Sequence, residues 1–247
     1  MKHAKRHPLI FGTIILTATG LITRVIGFFY RIYLSRLFGE EGMGIYQLLS
    51  PALSLSFSLT AAGYQTAISK YVAADSAKRP SGNLKPLLAG ISITLPLSLV
   101  TNAILFFSAD PIGIFLLKDH RTVPMLRILS FSVPFAALHA CINGYFYGKK
   151  KASVPALTQL LEQLARVSCV FLVTGADLAE GRTPSINAAV LGLTVGEIFS
   201  MLIALVCLYI HLYPDSSILS LPNICPSVPV YRDLLGMALP LTANRIV

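Results

Sequence analysis

Long apolar runs, separated by short polar segments, fill most of the chain. A helix that spans the hydrocarbon core of a membrane needs about 20 mostly apolar residues, and six runs are long enough. A seventh begins near Leu234 and is still apolar where the sequence stops, at Val247. The six predicted spans are Leu9–Tyr30, Gly44–Ser69, Pro86–Ala109, Ile128–Tyr147, Val154–Thr174 and Ala188–Tyr213.

The spans are predicted to be helices. In lipid every backbone polar group needs a partner within the protein, so only helices and closed barrels cross a membrane. Barrel strands are short and alternate apolar with polar residues, whereas these runs are long and continuous. The sequence therefore predicts an all-α membrane protein, with a bundle of six transmembrane helices followed by the start of a seventh.

The same pattern divides the chain into three parts. Residues 1–213 form a six-helix transmembrane lobe, residues 214–231 a linker rich in Pro, Ser and Leu, and residues 232–247 the start of a second lobe. A spanning helix that stops after about half its length leaves its backbone unsatisfied in lipid. We therefore expect the second lobe to be truncated and the sequence to be part of a longer protein.

Composition supports a membrane location. Only 13% of the 247 residues are charged, 54% are hydrophobic, and the mean hydropathy is +0.69, whereas soluble domains carry about 25% charged residues. The formal net charge of +9 does not indicate nucleic-acid binding, because the basic residues lie in short clusters between apolar runs, as membrane topology requires.

Lysine and arginine in alternate loops predict the orientation. Cytoplasmic loops carry an excess of these residues, and three of the alternate loops are basic. The N-terminus and the linker at 214–231 are then both cytoplasmic. The three basic loops contain Lys2, Lys5 and Arg6; Lys70, Lys78, Arg79 and Lys85; and Lys149, Lys150 and Lys151.

Two arginines in the first span are candidate substrate ligands. Charged residues inside a membrane are costly and usually face a cavity or a partner. Arg24 and Arg31 are seven residues apart, close to two helical turns, so they share a face. Two guanidiniums on one face suit a phosphate group, since arginine binds oxyanions bidentately. The alternative for Arg31 is that it only reaches the lipid headgroups.

The fifth and sixth spans contain the other candidates. Glu162 and Arg166 are four residues apart and can form an ion pair on one helix face. That pair either fixes helix packing alone or belongs to a polar cavity wall, with Arg166 available to an anionic ligand. Glu197 pairs with an arginine or carries a proton during coupling. More buried arginine than carboxylate favours an anionic substrate over a cation.

No enzyme motif occurs in the sequence. It contains no phosphate-binding loop, dinucleotide fingerprint, metalloprotease helix or nucleophile elbow, and no cysteine pair has metal-ligand spacing. The histidines within and between the spans, His120, His139 and His211, are isolated in the sequence. We expect no catalytic residue, no cofactor and no metal site.

Several segments resemble the stage V sporulation protein B family. The most specific is the first-helix segment Thr19–Gly39, and the resemblance runs along nearly the whole chain. The other segments that carry it are Glu41–Gln47, Ala67–Ala73, Asn143–Gly148 with the basic residues that follow, and Gln159–Arg166.

That family is similar to polysaccharide exporters and lipid II flippases of the multidrug/oligosaccharidyl-lipid/polysaccharide exporter superfamily. The resemblance implies two six-helix bundles with alternating access to a central cavity. It implies translocation of an undecaprenyl-pyrophosphate-linked saccharide, a lipid II-like peptidoglycan precursor for spore cortex or cell wall, across a bacterial inner membrane. Arg24 matches the family's first-helix arginine, which lies near the cavity in lipid II flippases.

Family members have about twice as many residues, so only the first bundle and the opening of the second are present. The partner is then a C-terminal lobe or a second copy of this chain. Two other functions stay open on the sequence: a cation-coupled multidrug antiporter, which depends on carboxylates, and a non-transporting scaffold for a wall-synthesis complex, which tolerates loss of Arg24.

Overall fold

The structure is a computed structural model that describes residues 8–78, 84–213 and 226–246. These residues are almost entirely helical and include no strand. Two π-helical turns, Ser58–Ala62 and Ile112–Leu116, interrupt the α-helices. The α-helices are α1 Pro8–Leu48, α2 Ser50–Phe57, α3 Gly63–Lys78, α4 Lys85–Phe107, α5 Ala109–Pro111, α6 Thr122–Ser130, α7 Ser132–Gly148, α8 Ser153–Ala179, α9 Asn187–Leu212 and α10 Val228–Ile246.

Five helical segments of the described residues are long and apolar enough to cross a membrane. The first, Gly12–Ser76, has 65 residues. At 1.5 Å per residue it would extend about 98 Å, far more than the roughly 30 Å hydrocarbon thickness, and the non-helical Gly39 divides it into two stretches that are each long enough to cross. With the other four segments this gives six candidate spans, and the predicted all-α membrane class is confirmed.

Gly39 divides the long first segment. Its backbone angles, φ 69° and ψ −176°, are not helical and lie inside α1. A positive φ is accessible to glycine because it lacks Cβ, so the chain can turn here between two spans. The first helix consequently continues beyond the predicted end at Tyr30, and Arg31 and Arg36 lie within it.

The central helix of the bundle is formed by α6 and α7. Within Thr122–Gly148, 72% of the most apolar stretch of 18 residues is buried inside the protein. Helix α7 packs against α3, α4 and α9. Gly144 permits the closest approach, because a Cβ there would lie 2.6 Å from the carbonyl oxygen of Gln65. Only a residue without a side chain lets α7 and α3 touch along their backbones.

Helices α8 and α9 form the most extensive helix pair. A Cβ on Gly192 would lie 2.9 Å from the carbonyl oxygen of Arg166, and one on Gly196 would lie 3.1 Å from that of Glu162. Small residues at such positions let membrane helices approach closely. The two glycines therefore bring Glu197, which follows Gly196, against the face of α8 that carries Glu162 and Arg166.

The last helix, α10, packs against α3, α4 and the first π-turn. Its side chains Leu234 and Ala238 are fully buried, and a Cβ on Gly63 would lie 2.9 Å from the carbonyl oxygen of Ala238. Helix α10 begins at Val228, inside the segment predicted as the linker 214–231. Residues 214–225 of that segment lie outside the described residues.

Polar contacts join loops that the sequence places on one side. Arg121, before α6, bonds to Glu41, beyond the turn of α1, at 2.8 Å. Arg121 also donates hydrogen bonds to Asp119 and thereby lowers the pKa of that carboxyl below its ordinary value. At the other end of the bundle, Lys151 contacts Nδ1 of His211 at 2.9 Å. The two sets of loops therefore gather at opposite ends, as predicted.

Candidate functional site

A cavity between α1 and α8 is lined by the three predicted arginines. Its volume is about 400 Å³, and we call it the arginine cavity. A second cavity of about 340 Å³ adjoins it and shares Arg31, Tyr46 and Arg166. The residues that line the arginine cavity are Arg24, Gly27, Phe28, Tyr30, Arg31, Leu34, Tyr46, Gln163 and Arg166.

Helix geometry explains how these groups meet. Arg24 and Arg31 share a face of α1 through their seven-residue spacing. Gly27 lies between them, and a Cβ there would be in ordinary contact, at 3.6 Å, with the amide nitrogen of Gln163 on α8. This packing of α1 against α8 brings Gln163 and Arg166 to the same space as the α1 arginines.

Charge in the arginine cavity is predominantly positive. It has three guanidiniums and no carboxylate among its lining residues. Arg24 and Arg31 are exposed, whereas the Arg166 side chain is only 21% exposed. Away from bulk water such cations attract an anion more strongly, and each guanidinium offers the planar fork that matches a phosphate.

Tyr30 is a lining residue that the sequence reasoning missed. The residue is 6% exposed, and its buried hydroxyl has no hydrogen-bond partner within the described part of the chain. A buried donor without a partner is rare and costly, so an occupant of the cavity is a natural partner for it. Nothing in the sequence separates Tyr30 from the neighbouring aromatic residues Phe28 and Phe29, which are exposed.

Arg166 is shared between this cavity and a carboxylate. It bonds to Glu162 one turn earlier, with 2.5 Å between the guanidinium nitrogen and the carboxylate oxygen, as the sequence spacing predicts. A further nitrogen of the guanidinium, Nε, is buried without a partner. Arg166 therefore keeps donor capacity beyond its ion pair.

Glu162 and Glu197 lie together with His139. One ligand atom from each of the three side chains lies within 4.8 Å of the other two, and Nδ1 of His139 is 3.7 Å from a Glu197 oxygen. The interpretation of His139 as isolated is thus wrong. The three residues come from α7, α8 and α9, and only the crossing of those helices brings them together.

Both ring nitrogens of His139 have hydrogen-bond partners. Nε2 lies 2.8 Å from the side-chain amide nitrogen of Asn143, and Nδ1 lies 3.1 Å from the Ser200 hydroxyl. That hydroxyl also donates to the Glu197 backbone carbonyl. These contacts hold the ring in place beside the two glutamates.

The cluster of His139, Glu162 and Glu197 has the spacing of a metal site but a poor donor set. Both ring nitrogens of His139 are already in hydrogen bonds, and Arg166 holds one oxygen of Glu162. A metal ligand must offer an unprotonated lone pair. The arrangement suits a proton within the cluster better than a metal ion.

A further cavity reaches Glu197 from the side of α2 and shares Ser50 and Leu53 with the second cavity. Its volume is about 250 Å³, and five of its ten lining residues carry a hydroxyl group. Such groups can hydrogen-bond to water. The hydroxyl-bearing residues are Ser50, Ser54, Ser56, Thr60 and Ser132.

The sequence profile described as polysaccharide biosynthesis protein matches residues 9–247, nearly the whole chain. The chain belongs to the polysaccharide biosynthesis protein family.

Two curated proteins of Bacillus subtilis (strain 168) are among the relatives of this polysaccharide biosynthesis family member. Stage V sporulation protein B is 33% identical over 237 residues, which are 96% of this chain and 46% of that protein. Lipid II flippase MurJ is 27% identical over 179 residues, 69% of this chain and 32% of that protein. The chain spans about half the length of stage V sporulation protein B.

Solved structures show the same fold. One is an outward-facing multidrug resistance MATE family transporter of the MOP superfamily, with a TM-score of 0.77 and 16% sequence identity. The match covers 100% of this chain and 56% of the transporter. A MOP superfamily transporter from Pyrococcus furiosus, described as having a binding pocket of reversed polarity, matches with a TM-score of 0.73 at 17% identity, again over 56% of that chain. The polysaccharide biosynthesis family member thus has the architecture of one half of such a transporter.

Proposed function

We propose that this chain is one lobe of a flippase that translocates an undecaprenyl-pyrophosphate-linked saccharide, a lipid II-like peptidoglycan precursor for spore cortex or cell wall. The observation that carries the proposal is that Arg24, Arg31 and Arg166 line one cavity. The membership of the chain in a polysaccharide biosynthesis family and its similarity to a lipid II flippase support the substrate class.

The pyrophosphate is the part of the substrate that this lobe recognises. Arg24 and Arg31 bind it from α1, and Arg166 binds it from α8. The Tyr30 hydroxyl and the Gln163 amide supply neutral donors. A diphosphate offers oxyanions to several donors at once, and charge-assisted bonds of this kind are about twice as strong as neutral ones.

A second lobe completes the transport path. Residues 1–213 are the first lobe, a cytoplasmic linker follows, and α10, which begins at Val228, opens the second lobe. The exposed Arg24 and Arg31 face the space that the other lobe, or a second copy of this chain, would enclose. Rocking of two such lobes around a site near the midplane moves the headgroup across the membrane, in a bacterial inner membrane with the N-terminus in the cytoplasm.

A cation-coupled multidrug antiporter is the second candidate, because the solved structures of this fold include multidrug transporters. A cationic drug needs carboxylates in its binding cavity, but the arginine cavity has three guanidiniums and no lining carboxylate. Its charge therefore favours the anionic lipid.

Binding of a short-chain polyprenyl pyrophosphate to the purified full-length protein tests the proposal. Arg24→Ala should weaken binding at least tenfold, since a hydrogen bond to a charged group contributes about 1.5–3 kcal/mol. Arg36→Ala is the matched control, because Arg36 lies on the same helix, is exposed and lines a different cavity.

Equal affinities of the two variants would overturn the proposal. Binding of a cationic dye in place of the lipid pyrophosphate, with dependence on Glu162 or Glu197, would instead support the antiporter. Stable association with wall-synthesis enzymes but no lipid binding would support the scaffold.

A further inference from the structure

The cluster beside the arginine cavity carries more negative than positive charge. Glu162 and Glu197 are two carboxylates whose oxygens lie within 4.8 Å, and Arg166 neutralises one of them by its ion pair with Glu162. No lysine or arginine pairs with Glu197 in the described part of the chain; its ion-pair contact is His139. One positive charge is therefore missing from this part of the membrane interior.

The compensating proton has three candidate positions in the cluster. They are the ring of His139 and the carboxylates of Glu162 and Glu197, whose ligand atoms all lie within 4.8 Å of one another.

We infer that His139, Glu162 and Glu197 hold a proton among them, and that the anion bound in the arginine cavity is taken up together with a further proton because Arg166 serves both sites. The coupling half of this inference rests on the proposed function, whereas the shared proton does not. Two carboxylates that share a site cannot both ionise without a counter-charge, which gives the pair its affinity for a proton.

Arg166 makes the link between proton and anion. Its guanidinium is bonded to Glu162, and its Nε is buried without a partner among the described residues. When an anion in the cavity attracts Arg166, Glu162 loses its counter-charge. A proton from water then bonds to the carboxylate and replaces it, so anion and proton bind with positive cooperativity. Linkage makes the effect reciprocal: a bound proton strengthens anion binding by the same factor.

The other charged groups around the pair are few. From α7 the cluster meets His139, from α8 Arg166, and from α9 Glu197 itself. From α1 the hydroxyls of Tyr30 and Tyr46 and the guanidinium of Arg31 lie on the cavity side of Arg166.

Water can reach the cluster from neighbouring space. Glu197 lines the cavity of about 250 Å³ beside α2. That cavity shares Ser50 and Leu53 with the cavity of about 340 Å³ that Arg166 lines. Water in these adjoining cavities can carry a proton to the carboxylates through hydrogen bonds.

Infrared spectroscopy of the substrate-free full-length protein tests the shared proton directly. The wild type should show either the carbonyl stretch of a protonated carboxylic acid or the ring band of a protonated imidazole at neutral pH, and Glu197→Gln should lose that band, because Glu162 alone is then neutralised by Arg166. Glu180→Gln, in an exposed loop, is the control and should leave the band unchanged. A difference spectrum between the wild type and Glu197→Gln that contains neither band would overturn the shared proton.

Binding of the polyprenyl pyrophosphate between pH 5.5 and 8 tests the coupling. Uptake of one proton predicts that wild-type affinity rises by up to about tenfold for each unit that the pH falls. Glu162→Gln leaves Arg166 unpaired, so its affinity should be flat with pH and equal to that of the wild type at low pH.

A wild-type affinity that does not change with pH, or a Glu162→Gln variant that keeps the wild-type slope, would overturn the coupling. Binding that still depends on Arg24 in either of those cases would leave the proposed function standing. Absence of anion binding at every pH would overturn the proposed function and the coupling together, while the infrared band would still decide the shared proton.

Discussion

The guanidinium of Arg166 bonds to the carboxylate of Glu162 at 2.5 Å, and the same arginine lines the cavity formed with Arg24 and Arg31. One side chain thus stands between a positive cavity and a pair of carboxylates. The position of Arg166 depends on the close approach of α8 and α9, which places Glu197 beside Glu162. The following predictions test the cavity, that helix contact and the topology around them.

The hydroxyl of Tyr30 is expected to contribute to anion binding. Tyr30→Phe removes one donor from the arginine cavity and leaves the ring packing unchanged. Lipid pyrophosphate should bind about tenfold to hundredfold more weakly, which corresponds to the loss of one hydrogen bond to a charged group.

The free energy of unfolding of Tyr30→Phe should not fall, because the hydroxyl has no hydrogen-bond partner among the residues that the structure describes. Thermal unfolding in detergent and equilibrium binding measure the two effects separately. A stable variant with wild-type affinity would show that the Tyr30 hydroxyl takes no part in binding.

The contact between α8 and α9 is expected to tolerate no side chain at Gly192. Gly192→Ala places a methyl group 2.9 Å from the carbonyl oxygen of Arg166 and against Val170. Overpacking of this kind costs about 1–3 kcal/mol, so the unfolding temperature in detergent should fall.

Gly175→Ala is the matched control, because Gly175 lies on α8 with nothing within 4 Å of its added Cβ. Alanine is favoured over glycine in a helix by up to about 1 kcal/mol, so this variant should be at least as stable as the wild type. Equal stability of the two variants would contradict the close contact at Gly192.

Membrane topology is predicted with the Lys149–Lys151 loop in the cytoplasm and the Glu41 loop outside. In a chain whose four cysteines are replaced, a membrane-impermeant thiol reagent added to intact cells should label Glu41→Cys. Lys150→Cys should be labelled only after the membrane is opened. The reverse pattern would invert the orientation, and labelling of both from outside would contradict the spans between them.

Local spacing predicted the parts of the site that lie on single helices. The seven-residue interval between Arg24 and Arg31 placed both on one face, and the four-residue interval between Glu162 and Arg166 predicted their ion pair. The number of spans also followed from the apolar runs, because lipid requires a minimum helix length.

Contacts between helices could not be predicted in the same way. His139 meets Glu197 only because α7 crosses α9, and helix periodicity contains no information on crossing positions. The buried hydroxyl of Tyr30 is similar, since a tyrosine that faces a cavity and one that faces lipid have the same neighbours in sequence. The first helix was predicted to end too early, at Tyr30, because Arg31 and Arg36 interrupt the apolar pattern while the helix continues to the turn at Gly39.

Translocation by the full-length protein in proteoliposomes tests the central claim most directly. The substrate would be a fluorescent lipid-linked pyrophosphate saccharide, with Arg36→Ala as the control. The account predicts that Arg24→Ala and Arg31→Ala each lower the translocation rate at least tenfold, while both variants insert and fold normally and Arg36→Ala is unaffected. A doubly substituted Arg24→Ala, Arg31→Ala protein that translocates the lipid at the wild-type rate would contradict it.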